Sequence, residues 1–346
     1  MVVFDRPRRV LFSTTLRAFV ESRPPRAIAL ATPRDTVANL LRIARRAHAS
    51  QVLVVDEDEA SSETQSTNRA SRALTRAVSM RDVATAWMRT SLSDGAFYEQ
   101  FTTRELCDAI GAPSTQIVWY DESTREYDAQ TLLDACTALS RGRKIAVVHD
   151  GEFAIVDVVT KYDLVCFLSR RAAHLGEIAD MPVASLFPGR RVVSAPASAS
   201  ARGAVRDMLD ADVSAIALTT PVGDGAPNEI IACLSLNDFR RIDSHGDFTA
   251  MKTRSALDFV SRKRADTFRA DDRVPFESRR HATGSHRYVE LVFAKSDTSF
   301  ERLLALYADH EIHHVFVLRA DDFAAAPQRE FRVLTPSDLI DALAAR

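Results

Sequence analysis

"HEIHHVFVLRADDFAAAPQREFRVLTPSDLIDAL", residues 310–343, runs from a histidine cluster through an apolar stretch and a polar insert to a second apolar stretch, closing on Thr335-Pro336-Ser337-Asp338 before a tail with helical spacing. A hydroxyl and a carboxylate three residues apart at such a junction form a helix N-cap. The Thr335 oxygen accepts from a helical N–H and Asp338 complements the positive end of the helix, together worth about 1 kcal/mol. Pro336 at the first helical position supports that start. The same helix end suits an anion, because its N–H groups lack partners, and an exposed carboxylate can accept from two vicinal hydroxyls.

The junction occurs four times. Ser79-Met-Arg-Asp82, Thr160-Lys-Tyr-Asp163, Ser235-Leu-Asn-Asp238 and Thr335-Pro-Ser-Asp338 are separated by 81, 75 and 100 residues. The pattern also occurs at "TPRD", "SLSD", "TLLD", "SHGD" and "SALD". Its position therefore carries the information, at the end of a strand and the start of a helix. Each unit has an amphipathic helical stretch, an apolar strand, a turn or insert, a second strand and the tetrapeptide, and such internal repetition decides the fold.

The helical faces are Val37, Leu40, Leu41, Ala44; Leu132, Ala135, Cys136, Leu139; Val205, Met208, Leu209; and Phe300, Leu303, Leu304, Tyr307. The strands that follow, "QVLVV" (51–55), "KIAVV" (144–148), "SAIAL" (214–218) and "HVFVL" (314–318), are apolar nearly throughout. Strands covered on both faces read this way. Second strands follow as "FAIVDVV", "EIIACL" and "EFRVL". In the first unit the second strand is poorly marked, because the polar, hydroxyl-rich tract 57–77 intervenes and reads as a mobile surface insertion. "TTPVGDGAPNE" and "RADDFAAAPQRE" fill the same slot in units three and four. The expected units are 15–92, 104–172, 177–243 and 253–346, an α/β chain of α+β repeats.

A chain of 346 residues with 46% hydrophobic and 27% charged residues fits a soluble repeat protein. A net charge of -2 predicts no general adhesion to nucleic acid or to a membrane. Cys107, Cys136, Cys166 and Cys233 are scattered without C-x-x-C spacing, which argues against a zinc ribbon or disulfide framework and for a reducing compartment. No apolar run approaches the roughly 20 residues of a membrane span. The opening "MVVFDRPRRVLFSTTLRAFVESRPPR" lacks a secretory apolar core, and Asp5 and Glu21 interrupt the acid-poor character of a transit peptide.

His310, His313 and His314 suggest a metal. However, His310 and His314 share a helix face only if the helix continues, and the apolar run from His314 reads as strand. "SRKR" (261–264) and "SRR" (278–280) read as solvated surface, and "RRHATGSHRY" (279–288) lacks phosphate-loop spacing. No ordered nucleophile, base and acid can be picked out, so no enzyme is expected.

The order strand, helix, strand, strand, [ST]-x-x-D, helix resembles the cystathionine beta-synthase (CBS) domain. Four in one chain resemble the gamma, energy-sensing subunits of AMP-activated and SNF1-type protein kinases. "HEIHHVFVL" and "VLTPSDLIDAL" are similar to that family's fourth repeat, and "ADVSAIAL" and "CLSLNDF" to its third. The resemblance covers roughly residues 15–346 and implies four tandem CBS domains, paired into two Bateman modules that meet as a disk. It implies adenine nucleotides in the clefts, with AMP, ADP and ATP as regulatory ligands and no resident cofactor or metal. Asp82, Asp163, Asp238 and Asp338 become ribose candidates, and Ser79, Thr160, Ser235 and Thr335 line the same pockets. His313, with His314 beside it, matches the phosphate contact, acting through charge, and Ser214 matches the third-repeat hydroxyl.

There are departures from the family pattern. Asp163 is present where well-known animal members lack a carboxylate. Ser50 stands where the family has an arginine, and in repeat two Lys144 beside Arg143 takes the equivalent place. The implied partners are a kinase catalytic subunit and a scaffold subunit, in the cytoplasm or the nucleus. Two other readings stand beside this one: a separate CBS protein that senses another adenosyl ligand for an unrelated partner, and a scaffold whose tetrapeptides are only caps.

Overall fold

The same strand order recurs in four sheets. The computed structural model describes residues 4–55, 74–111, 117–141, 143–150, 155–187, 189–220, 229–265, 278–283, 287–310, 312–318 and 332–345. In repeat one, β1 (Leu30–Ala31) runs parallel to β2 (Gln51–Val55), which pairs antiparallel with β3 (Leu74–Ser79). Repeat two repeats this with β4 (Ile117–Asp121), β5 (Ile145–His149) and β6 (Ile155–Val159). Within unit three a two-residue strand β7 (Arg190–Arg191) precedes the unit's own sheet, built from β8 (Ser194–Pro196), β9 (Ala215–Thr220) and β10 (Glu229–Ser235). Repeat four extends its sheet to five strands, in the order β11 (Ser278–Thr283), β12 (Arg287–Lys295), β13 (Val315–Leu318), β14 (Arg332–Leu334) and β7.

Parallel neighbours need a crossover, and, besides the short helix Arg125–Ala129 in repeat two, each repeat supplies one helix for it. These are Val37–Arg46, Leu132–Ser140, Ala201–Asp210 and Phe300–His310. All the periodic apolar positions named above are buried except Leu209, which is partly buried. Capping starts the helices: Thr36 and Ser200 accept from the third helical N–H, and Thr131 completes a capping box with Asp134.

The central strands are apolar nearly throughout because both faces are covered. In β2, Val52 and Val54 face a helical core while Leu53 faces another sheet. Leu53 and Ala77 pack with Ile117, Ile145 and Val147, joining repeats one and two sheet to sheet. Ala217, Ile230 and Cys233 pack with Leu291 and Phe316, joining repeats three and four. The helices join the pairs: one core combines the crossover helices of repeats one and three and also takes Leu106, Cys107, Ala256, Phe259 and Val260 from the leading ends of units two and four, while the other combines repeats two and four and takes Ile178, Ala179 and Val183 from the leading end of unit three. The result is four repeats of one strand order, paired sheet to sheet into two modules.

Three details differ from the sequence reading. β3 begins at Leu74, so residues 74–77 of the expected insertion are strand, completed by ladder bonds to β2 rather than by their own weak apolar pattern. Residues 56–73, like 319–331 of the fourth insert, lie outside the described residues. The third tetrapeptide opens a 3-10 turn, Leu236–Arg241, before Ser244 and Asp247 cap a fresh helix at His245–Thr253. There the Ser235 hydroxyl accepts from Asn237, one residue early, which tightens the turn. Finally, the leading helices Asp5–Phe12 and Leu16–Glu21 bury Leu11, Leu16 and Phe19 in the core of repeats two and four, although residue 15 onward reads as part of repeat one. No helix among the described residues is long and apolar enough to cross a membrane.

Candidate functional site

All four tetrapeptides contribute residues to one cavity. Each hydroxyl residue ends a strand in extended backbone and caps the next helix, and each aspartate closes a capping box. Asp82 Oδ2 accepts from the Ser79 N–H at 2.8 Å and its hydroxyl at 2.6 Å. Asp163 Oδ2 accepts both from Thr160 at 2.7 Å, and Asp338 Oδ2 accepts from Thr335 at 2.8 and 2.7 Å. Asp238 Oδ2 accepts from the Ser235 N–H at 2.9 Å. The cap is thus real in every repeat, and it uses one carboxylate oxygen.

The helix starts surround a cavity of about 340 Å³, within the range of small-molecule sites. Repeat one contributes Ser50, Gln51, Ser79, Met80 and Arg81; repeat two Arg143, Lys144, Thr160, Lys161 and Tyr162. Repeat three contributes Ser214, Ser235, Leu236 and Asn237, and repeat four His313, His314, Thr335, Pro336 and Ser337. Of the expected site residues, the four hydroxyls, Ser214, Arg143, Lys144 and both histidines therefore share one wall. The aspartates sit behind it. No Asp or Glu is among the described residues that line the cavity, whereas Arg81, Arg143, Lys144 and Lys161 are. Four helix ends and four basic side chains around one space favour a polyanion, despite the chain's near-zero net charge.

Pairing across repeats fixes this wall. His314 Nε2 lies 3.0 Å from the Ser214 hydroxyl. Lys144 Nζ is 3.9 Å from Asp82 Oδ2 and its carbonyl accepts from Gln51 at 3.3 Å. Lys161 reaches Ser337 at 3.3 Å and Asp341 at 3.6 Å. The His313 ring stands 5.0 Å from that of Tyr162, whose hydroxyl donates to the Tyr307 carbonyl at 3.0 Å.

His313 differs from expectation in its charge. Burial and the nearby Arg240 outweigh Asp163 and push its imidazole down to about 4, so it is neutral at pH 7. A phosphate would have to bring the proton with it. Above about pH 6.5 the group is neutral in both folded and unfolded chains; as pH falls toward 4 the unfolded chain is protonated first, and the fold loses up to roughly 3 kcal/mol. Comparing urea midpoints of the wild type and His313→Gln between pH 7 and pH 4 should show the shallower decline in the variant. Equal slopes would contradict the assignment.

The helix Phe300–His310 stops before His314, and no His, Cys, Asp or Glu cluster able to hold a metal occurs among the described residues. None of the four cysteines is in a disulfide.

Sequence reasoning missed the cations behind the wall. Arg190 Nε lies 3.0 Å from Asp338 Oδ1, and Arg241 Nη1 3.5 Å from Asp238 Oδ1. In repeat two, Arg23 donates to Asp157 and lies 3.2 Å from Asp163 Oδ1, while Arg26 grips Asp163 at 2.8 and 3.2 Å. Burial draws the Arg23 guanidinium down from its ordinary value; in Arg26 burial acts the same way, but Asp163 and Asp157 outweigh it and hold the group up. The signal was in "RPPR". Consecutive prolines favour an extended helix of three residues per turn, which puts Arg23 and Arg26 on one side.

No protein-family model matches the chain, and no curated protein does. Among solved structures it is similar to a Methanocaldococcus jannaschii protein described as a proposed archaeal homologue of g-AMPK. The identity is 12% and the TM-score 0.56, over 94% of this chain and 99% of that one. It is also similar to a conserved Pyrococcus horikoshii protein, at 11% identity and a TM-score of 0.44 over 92% and 96%. A CBS-containing hemolysin-like protein of Oenococcus oeni matches 51% of this chain and 98% of its own, at 13% identity and a TM-score of 0.28. The first likeness places the chain in the four-CBS-repeat class of fold. Within that class, the architecture is the one expected from its resemblance to gamma-type subunits.

Proposed function

We propose that the chain is the adenine-nucleotide-sensing regulatory subunit of an AMP-activated or SNF1-type kinase complex. It would bind AMP, ADP or ATP in the clefts behind Asp82, Asp238 and Asp338, with the phosphates directed to the cavity. The convergence of four capped helix starts and four basic side chains on one cavity, with no carboxylate among the described residues that line it, supports this most strongly. Ribose hydroxyls would take the Oδ1 edges, which in Asp238 and Asp338 now face Arg241 and Arg190, and the neutral His313 would gain a proton as a phosphate arrives. Because the cavity is shared by all four repeats, phosphate charge there changes the packing of both modules together. Linkage to a kinase catalytic subunit and a scaffold subunit then requires only that the assembly states bind AMP and ATP unequally.

A ligand that prefers the folded state raises its stability by about 2.7 kcal/mol at one hundred times its dissociation constant. Titration calorimetry and thermal melts with AMP, ADP and ATP should therefore show heat and an upward shift in melting temperature. No heat and no shift at millimolar nucleotide, both for the chain alone and in complex with kinase subunits captured from its native source, would leave a scaffold with structural caps.

A further inference from the structure

Repeat two is built differently from its three counterparts. At Asp82, Asp238 and Asp338 a cation approaches a single carboxylate oxygen, Lys144 at 3.9 Å, Arg241 at 3.5 Å and Arg190 at 3.0 Å. At Asp163 a guanidinium forks over both oxygens: Arg26 Nη1 lies 2.8 Å from Oδ1 and Nη2 3.2 Å from Oδ2. Arg26 Nε also donates to Asp157 Oδ1 at 3.2 Å. Planar, two-point recognition of a carboxylate is what a ribose diol would supply, and here the chain supplies it to itself.

We infer that Arg26 is an internal gate over a latent nucleoside site in repeat two, which binds a ligand with vicinal hydroxyls only when the guanidinium swings off Asp163. The inference rests on the nucleotide reading above and adds a regulated cleft to it.

The two arginines of the cluster differ in what they can do. Arg23 has 8% of its side chain exposed, stacks 4.4 Å from the Phe19 ring and reaches the Val158 carbonyl at 3.3 Å. It is fixed. Arg26 has 36% of its side chain exposed, so its guanidinium already borders water. When it leaves, Arg23 still faces both Asp157 and Asp163, so neither buried carboxylate is left without a counter-charge. The open state is thus electrostatically tolerable, which separates a gate from a structural clamp. Pro24 and Pro25 stiffen the backbone between the two, so the side chain moves while the main chain stays. Because ligand and Arg26 compete for Asp163, apparent affinity at this cleft is reduced by the fraction of chains that are open.

Equilibrium dialysis of the full chain with radiolabelled AMP tests this, comparing wild type, Arg26→Ala, Arg26→Gln and Arg26→Ala combined with Asp163→Asn. Arg26→Ala should bind one more equivalent of AMP than wild type, or bind it at that cleft at least tenfold more tightly. The double variant should lose the gain, and Arg26→Gln guards against a folding defect peculiar to alanine. Wild-type binding with unchanged stoichiometry and affinity in both single variants would overturn the gate and leave the nucleotide reading standing. AMP bound by the single variants but not by wild type would uphold the gate and refute sensing by the unmodified chain. No AMP on any of the proteins would overturn both.

Discussion

Arg23→Ala should cost the fold about 3 kcal/mol or somewhat more, the largest single-residue stability loss outside the apolar cores. Arg23 and Asp157 are about nine-tenths buried, and the change leaves the carboxylate in a low-dielectric site with Arg26 as its remaining cation, at 3.2 Å. That surviving contact places the loss at the lower end of the range for breaking a buried pair. Arg23 already strains the site, since its Nε is buried without a hydrogen-bond partner. Replacing both members, Arg23→Met with Asp157→Leu, should therefore recover more than half of the loss, because an apolar pair needs no compensation. Urea unfolding followed by circular dichroism measures both. A loss under about 1 kcal/mol for Arg23→Ala would show that water reaches the cluster freely.

Asp338→Asn should lower nucleotide affinity roughly ten- to a hundredfold at the fourth-repeat cleft while costing about 1 kcal/mol of stability. The two oxygens of Asp338 have separate tasks. Oδ2 holds the cap through Thr335, and Oδ1 faces Arg190, whose side chain is 61% exposed and easily displaced. An asparagine can keep its oxygen on the Thr335 N–H. It then presents an NH₂ donor where ribose hydroxyls need an acceptor. Binding of 2'-deoxy-AMP supplies the control: it should be weaker than AMP in wild type and less affected by the substitution. Asp238→Asn should behave alike in repeat three. Unchanged AMP affinity in both variants, with a lowered melting temperature, would reduce these carboxylates to caps.

The repeat architecture was legible in the sequence because it is written in local terms. Val37, Leu40, Leu41 and Ala44 need only a helix to share a face, and "QVLVV" needs only two-sided cover to be a strand. Both conditions are met. The tetrapeptides mark strand-to-helix junctions because capping involves residues three apart. β3 was harder to read, since Leu74–Ser79 is held by its partner strand rather than by its own pattern. The two-residue β1 and β7 carry too few residues to show a period at all.

The sequence by itself determined four repeats, their crossover helices, their apolar faces and their four capped helix starts, since each depends on neighbours within a turn or a strand pair. Tertiary structure alone decided what those starts face. It brought Ser214 to His314 across 100 residues and Arg26 to Asp163 across 137. It also made His313 neutral, because burial and Arg240, remote in sequence, set its charge. Long-range charge pairing leaves no periodicity along a chain; the only trace here is a pair of prolines between two arginines.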